Sequence, residues 1–173
     1  MRRFWLVLSV LVLAACGASP KSKADSWARA FPQEIGGFEQ GENRLALTLE
    51  SPAANGHVTL TYLNRDDVAI YVTIDSYGNE DTASVRLGER LRDWNLQGVR
   101  FERERVSGKP IETATTAGGY LAYFQDKETL ITLAVIPPID EGAEGEAPVF
   151  LPLPSEDIAL FLETLVALAE ARK

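Results

Sequence analysis

The sequence predicts an α+β domain: an antiparallel sheet of about seven strands carrying two packed helices, in the order βββαββββα. Three observations predict it. Apolar and polar residues alternate through successive short segments, the period of half-buried strands. Two longer segments switch to a 3.6-residue period. Short turn-forming runs separate the strands, which favours antiparallel neighbours over crossover connections. A chain of 173 residues, 46% of them hydrophobic, is long enough for one such domain and too apolar to stay disordered.

In chain order, residues 1–15 stand apart from that domain. Met1-Arg2-Arg3 is a basic start, and residues 4–13 are apolar except for Ser9. About ten apolar residues are too few for a helix across a bilayer of ~30 Å, which takes ~20, but they fit the apolar region of an export signal. Leu13-Ala14-Ala15-Cys16-Gly17 follows, and it resembles the lipobox of bacterial lipoprotein precursors. The resemblance implies a diacylglycerol on the Cys16 thiol, cleavage before Cys16 and acylation of the new amino group. Such chains contribute ~0.8 kcal/mol per buried methylene, so two or three make a lasting anchor. Gly17, rather than Asp, after the cysteine implies by the same resemblance an outer-membrane lipoprotein facing the periplasm in a Gram-negative cell.

Removing residues 1–15 takes away Arg2 and Arg3 and lowers the formal charge from -8 to -10. An acidic body is repelled by anionic lipid, so the acyl groups, not a basic patch, are expected to hold it at the membrane. The expected division is a signal over 1–15, a lipidated tether over 16–26 and one α+β domain over 27–173. Ten extended residues of tether reach ~33–36 Å. Residues 25–31 have the pattern of one or two helical turns ended by Pro32, with Trp27 and Phe31 docking on the domain.

Beyond Pro32 three strands are expected. Leu45, Leu47 and Leu49 alternate, then Val58, Leu60 and Tyr62, then Val68, Ile70, Val72 and Ile74, with turn residues over 52–56 and 64–67. One sheet face is expected to be packed and the other wetter. The period then changes. Asp81 is the expected cap of a helix whose Ala83, Leu87, Leu91 and Trp94 share a face, and Gly98 the left-handed stop. Gly88 inside it costs about 1 kcal/mol. Strands are expected over 99–106, 111–116, 120–125 and 129–136, followed by an acidic loop over 139–148. The last element is a helix over 155–171, capped by Ser155, with Ile158, Phe161, Leu162, Leu165 and Ala169 closing the core. At the level of element order, residues 31–171 resemble the Mog1/PsbP-type sandwich, a fold found in some bacterial lipoproteins.

Composition and motifs exclude more chemistry than they identify. One Cys and one His cannot supply four soft zinc ligands or a disulfide. An acidic chain with pI ≈ 4.7 is a poor match to nucleic acid. There is no G-x-S-x-G elbow, no H-E-x-x-H pair and no phosphate loop. His57 would be the base of any Ser-His-Asp triad but reads as a turn or edge residue. Asp75, Asn79, Glu80 and Asp81 lack the calcium-loop pattern, since Tyr77 stands where an oxygen ligand is needed. The alternating Glu102, Arg103, Glu104 and Arg105 read as ion pairs on an exposed edge.

Two readings follow. The first is a lipid-anchored, non-enzymatic envelope protein without cofactor, presenting its domain to an envelope protein partner. The second is a module binding a small ligand or cation on the face where Tyr71, Thr73, Asp75 and Tyr77 project together, joined by Thr59 and Thr61.

Overall fold

The turn over 64–68 sets the register from which the sheet grows. Asn64 Oδ1 accepts the N–H groups of Asp66 (3.0 Å) and Val68 (2.9 Å), and Asp67 takes a positive φ of 58°. Strand β3 (Gly56–Leu63) therefore folds back on β4 (Ala69–Ser76), with Val58 opposite Ile74, Leu60 opposite Val72 and Tyr62 opposite Ile70. The computed structural model describes residues 18–41, 54–116, 118–137, 139–140, 149–150 and 153–172. The expected signal and lipobox, the strand expected near 45–49 and most of the expected acidic loop lie outside these residues.

The remaining elements are α1 (Pro20–Ala30), β1 (Glu34–Ile35), β2 (Phe38–Gly41), α2 (Glu80–Leu96), β5 (Glu102–Val106), β6 (Lys109–Thr116), β7 (Gly119–Asp126), β8 (Thr129–Ile136), β9 (Ile139–Asp140), β10 (Val149–Phe150) and α3 (Ser155–Ala171). Eight strands form one antiparallel sheet in the order β1-β2-β3-β4-β8-β7-β6-β5, and β9 pairs with β10 apart from it. Two four-stranded meanders thus meet through their last strands, β4 and β8, at the centre. Helix α2 carries the chain from the central β4 to the far edge at β5. The protein is α+β as expected, with more strands and one more helix than the sequence pattern predicts.

One sheet face carries the main core. Ile70, Val72 and Ile74 of β4 and Ile131, Leu133 and Val135 of β8 meet Ala24 and Trp27 of α1 and Phe161, Leu162 and Leu165 of α3. Phe161 meets Phe38 and Tyr62 edge to face at 5.8 and 5.1 Å. On the opposite face α2 covers Tyr77, Leu130 and Tyr123 with Ala83, Leu87, Leu91 and Trp94. All eight residues of β4 are buried. The expectation of a wetter second face is thus corrected: α2 lies on it.

Three local expectations are also corrected. The polar segment expected to be a tether is helical from Pro20. Ser19 caps it, its Oγ accepting the Ser22 N–H at 3.2 Å, and proline suits the first helical position. Asn79, not Asp81, caps α2 by accepting the Thr82 N–H at 2.8 Å, while Glu80 and Asp81 occupy the first turn. Ser155 is the first residue of α3 rather than its cap, and Pro154 precedes it without a side-chain bond. Trp27 (2% exposed) and Phe31 (4%) dock on the body, and Gly98 has the left-handed φ of 87°. Among the described residues no helix is long and apolar enough to cross a membrane.

Candidate functional site

The strand registers lay the residues under α2 into rows. His57 lies opposite Asp75; Thr59, Thr73, Thr132 and Tyr123 follow one another across four strands; Thr61, Tyr71, Ala134 and Leu121 form the next row. The four residues expected to form a binding face, Tyr71, Thr73, Asp75 and Tyr77, do project to one side, with Thr59 and Thr61 beside them. None is open to solvent: their exposures are 4%, 1%, 0% and 0%.

Asp75 is the centre of the polar row. A fully buried carboxylate needs charge and hydrogen bonds to offset lost hydration. Arg90 of α2 donates from Nη2 to Asp75 Oδ2 at 2.6 Å and from Nη1 to Thr132 Oγ1 at 3.0 Å. His57 Nδ1 lies 2.7 Å from Asp75 Oδ1, so with the carboxylate accepting, the Nδ1–H donates. The Arg90 guanidinium also sits 6.0 Å above the ring of Tyr123, whose hydroxyl accepts the Trp94 indole N–H at 2.8 Å. Burial raises the Tyr123 phenol above its ordinary pKa, against the opposing effects of the Trp94 bond and Arg90. One arginine thereby ties α2 to β4 and β8.

Asp75, His57 and Thr59 stand in the order of a carboxylate–imidazole–hydroxyl relay, a constellation the sequence reading assigned to no site. The Thr59 hydroxyl is 3.4 Å from His57 Nε2 and equally 3.4 Å from Thr73 Oγ1. Both distances are beyond the ordinary O–H···N or O–H···O range, so the proton is not aimed at the imidazole. Arg90 spends its guanidinium on Asp75 and Thr132, so it is not free to stabilise an oxyanion. The arrangement acts as an electrostatic clamp. His57 enters it because the β3–β4 register places it beside Asp75.

Next to the clamp the walls become apolar. A cavity of ≈330 Å³ opens where α2 ends over the sheet, lined by Tyr71, Trp94, Leu121, Ala134 and Ile136 and by the turn at Gly118 and Gly119. Gly119 has φ 145°, and a Cβ there would strike the Val135 carbonyl, so this turn admits no side chain. Trp94 and Leu121 also border a hollow of ≈210 Å³ reaching Arg90, Asp93, Gln97 and Thr132. Burial alone raises the Tyr71 phenol above its ordinary pKa.

The two charged clusters noted in the sequence form no ligand site among the described residues. Asp75, Asn79, Glu80 and Asp81 do not converge, and no group of three or more His, Cys, Asp or Glu able to hold a metal occurs among the described residues. On the edge strand β5, Arg103 pairs across the ladder with Glu112, while Glu104 accepts from the Thr113 hydroxyl at 2.9 Å. An open hollow of ≈770 Å³ at the β1–β2 hairpin is rimmed by Glu34, Glu39, Asp66 and Asp157, far along the sheet from the Asp75 clamp.

No protein-family model, no curated protein and no solved structure matches the chain.

Proposed function

We propose that the chain is a lipid-anchored envelope protein, held through acyl groups on Cys16 and presenting a non-enzymatic α+β body to an envelope protein partner. In a Gram-negative cell its place is the outer membrane, facing the periplasm. The observation that carries this reading is Leu13-Ala14-Ala15-Cys16 at the end of a basic and apolar leader, on the only cysteine in the chain. The early start of α1 shortens the connection. Three residues separate Cys16 from Pro20, so the first helical residue lies within ~14 Å of the lipidated one. The likeness of the element order over residues 31–171 to the Mog1/PsbP-type sandwich belongs to the same proposal.

Intact-mass analysis of the protein purified from membranes tests it. The expected species lacks residues 1–15 and carries diacylglycerol and acyl mass on Cys16, whereas Cys16→Ala remains an unlipidated precursor. A mature wild-type chain with an unmodified Cys16 would overturn the anchor.

A second reading is favoured by the cavity beside Tyr71: the body also binds a small ligand on the Tyr71/Thr73/Asp75/Tyr77 side of the sheet. Of these four residues only Tyr71 lines the cavity. Thr73 and Asp75 belong to the polar rows beside it, and Tyr77 to the packing beneath α2.

A further inference from the structure

The cavity beside Tyr71 is walled mainly by apolar side chains. Trp94, Leu121, Ala134, Val135 and Ile136 are apolar, Tyr71, Thr116 and Tyr120 add hydroxyls, and among the described residues no lining side chain carries a charge. A charged group placed there would lose its hydration without a counter-ion, so the occupant is neutral. Its size follows from the volume. A methylene is about as large as a water molecule in the liquid, ~30 Å³, so ≈330 Å³ takes a chain of about ten carbons.

Thr116 donates to the Gly119 carbonyl at 3.2 Å and Tyr120 bonds with Thr113, which leaves two hydroxyls to account for. Tyr71 is 4% exposed, and among the described residues its phenol makes no hydrogen bond, although it lines the cavity. The Thr61 hydroxyl, directly across the strand pair from Tyr71, is buried without a partner. A buried hydroxyl such as that of Thr61 is ordinarily satisfied, because each unmade bond is costly, whereas the Tyr71 oxygen opens into the cavity. A largely apolar hollow with the Tyr71 phenol on its wall is complementary to a chain that brings one oxygen.

Resting on the small-ligand reading, we propose that this cavity binds one uncharged aliphatic chain of about ten carbons bearing a hydroxyl or carbonyl oxygen, which bonds to the Tyr71 phenol. The neighbouring hollow is its approach. There Arg90 and Asp93 balance in charge, and Arg90 is already held by Asp75 and Thr132, so an anionic head gains little over a neutral one.

The test uses the full chain purified from membranes into lipid nanodiscs. A diazirine analogue of 1-decanol is photolysed on it, and in a parallel arm a phospholipid with a diazirine in its acyl chain is built into the disc. Saturable labelling of peptides containing Tyr71, Trp94, Leu121 or Ala134, competed by 1-decanol and not by decanoate at equal concentration, is expected. Labelling by the first probe alone means a free alcohol, and labelling by the second means the chain of a bilayer lipid. Ala134→Phe fills the cavity and should abolish labelling at an unchanged melting temperature. Tyr71→Phe keeps the shape and should weaken competition by 1-decanol about five-fold. Labelling that is unsaturable, lies elsewhere or survives Ala134→Phe overturns the proposal. Should a broad screen find thermal stabilisation by a charged metabolite or cation that Ala134→Phe leaves intact, the small-ligand reading stands while the aliphatic chain falls. If nothing stabilises the protein and nothing labels it, both fall.

Discussion

Asp75 shows how one side chain organises the second face of the sheet. It is fully buried, and its two oxygens divide between His57 and Arg90. Arg90→Ala strands this carboxylate, and breaking a buried pair by removing one partner costs about 3–5 kcal/mol. The urea midpoint of Arg90→Ala should fall accordingly, with an unchanged slope. Replacing both partners, as Arg90→Met with Asp75→Leu, should recover much of the loss, because no lone charge then remains. A loss below ~1 kcal/mol in the single variant would show that the pair behaves like a surface contact. The sequence announced Asp75 as one of four residues on a common face, and the alternation of β4 sufficed for that. It did not announce Arg90, which reaches the site from α2, 15 residues further on. His57 was within reach of the sequence, since the 64–68 turn and the alternation of β3 and β4 together fix its cross-strand partner.

At the scale of elements, legibility followed length and period. Strands β3, β4, β7 and β8 each have eight residues, enough for alternation to stand out, and Ala83, Leu87, Leu91 and Trp94 gave the face of α2. Strands β1 and β2, of two and four residues around Gly36 and Gly37, are too short to display a period. Helix α1 was hidden by its composition. Lys21, Ser22, Lys23, Asp25 and Ser26 resemble a linker, yet Ser19-Pro20 is a cap followed by a first-turn proline, and Ala24 and Trp27 supply the buried side. The open face was misjudged because alternation reports that a strand has two chemistries, not what covers the more polar one. Asp75 and Thr132 can be buried because α2 supplies Arg90 to meet them. Helix α2 also offers a clean test of backbone freedom. A Cβ added at Gly88 meets nothing within 4 Å, so Gly88→Ala should stabilise the protein by about 0.5–1 kcal/mol in urea denaturation. No gain would mean that the helix is frayed around this position.

The whole molecule can be read through its buried phenols. Burial pushes Tyr62 up to about 12, and burial, aided by the charge of Glu104, pushes Tyr120 up to about 12 against the opposing bond from Thr113. Tyr62 donates to the Pro32 carbonyl at 2.6 Å, joining the sheet to the segment after α1. In the unfolded chain both phenols ionise near ~10. The native state thus holds their protons more tightly. This contribution is complete below pH ~10 and is lost as pH rises from there toward about 12. Urea unfolding followed between pH 8 and 11.5, with phenolate absorbance read alongside, should show stability constant to about pH 10 and falling beyond it. Stability that stays level to pH 11.5 would mean that these rings ionise without opening the core.

The close fit of α1 against the start of β3 gives the molecule a direction. A Cβ at Gly56 would collide with the Pro20 carbonyl, so the first residue of the helix sits on the pole of the sheet where β3 begins and β4 ends. Tyr71, Ile136 and the turn at Gly119 lie toward the opposite pole, and the eight residues of β8 span ~25 Å between the two. With the proposed acyl anchor four residues before Pro20, one pole would be leashed to the leaflet and the hollow carried outward. Under both proposals the hollow faces away from the surface to which the protein is fastened, and a ligand would reach it from the aqueous gap more readily than from the leaflet that holds the anchor.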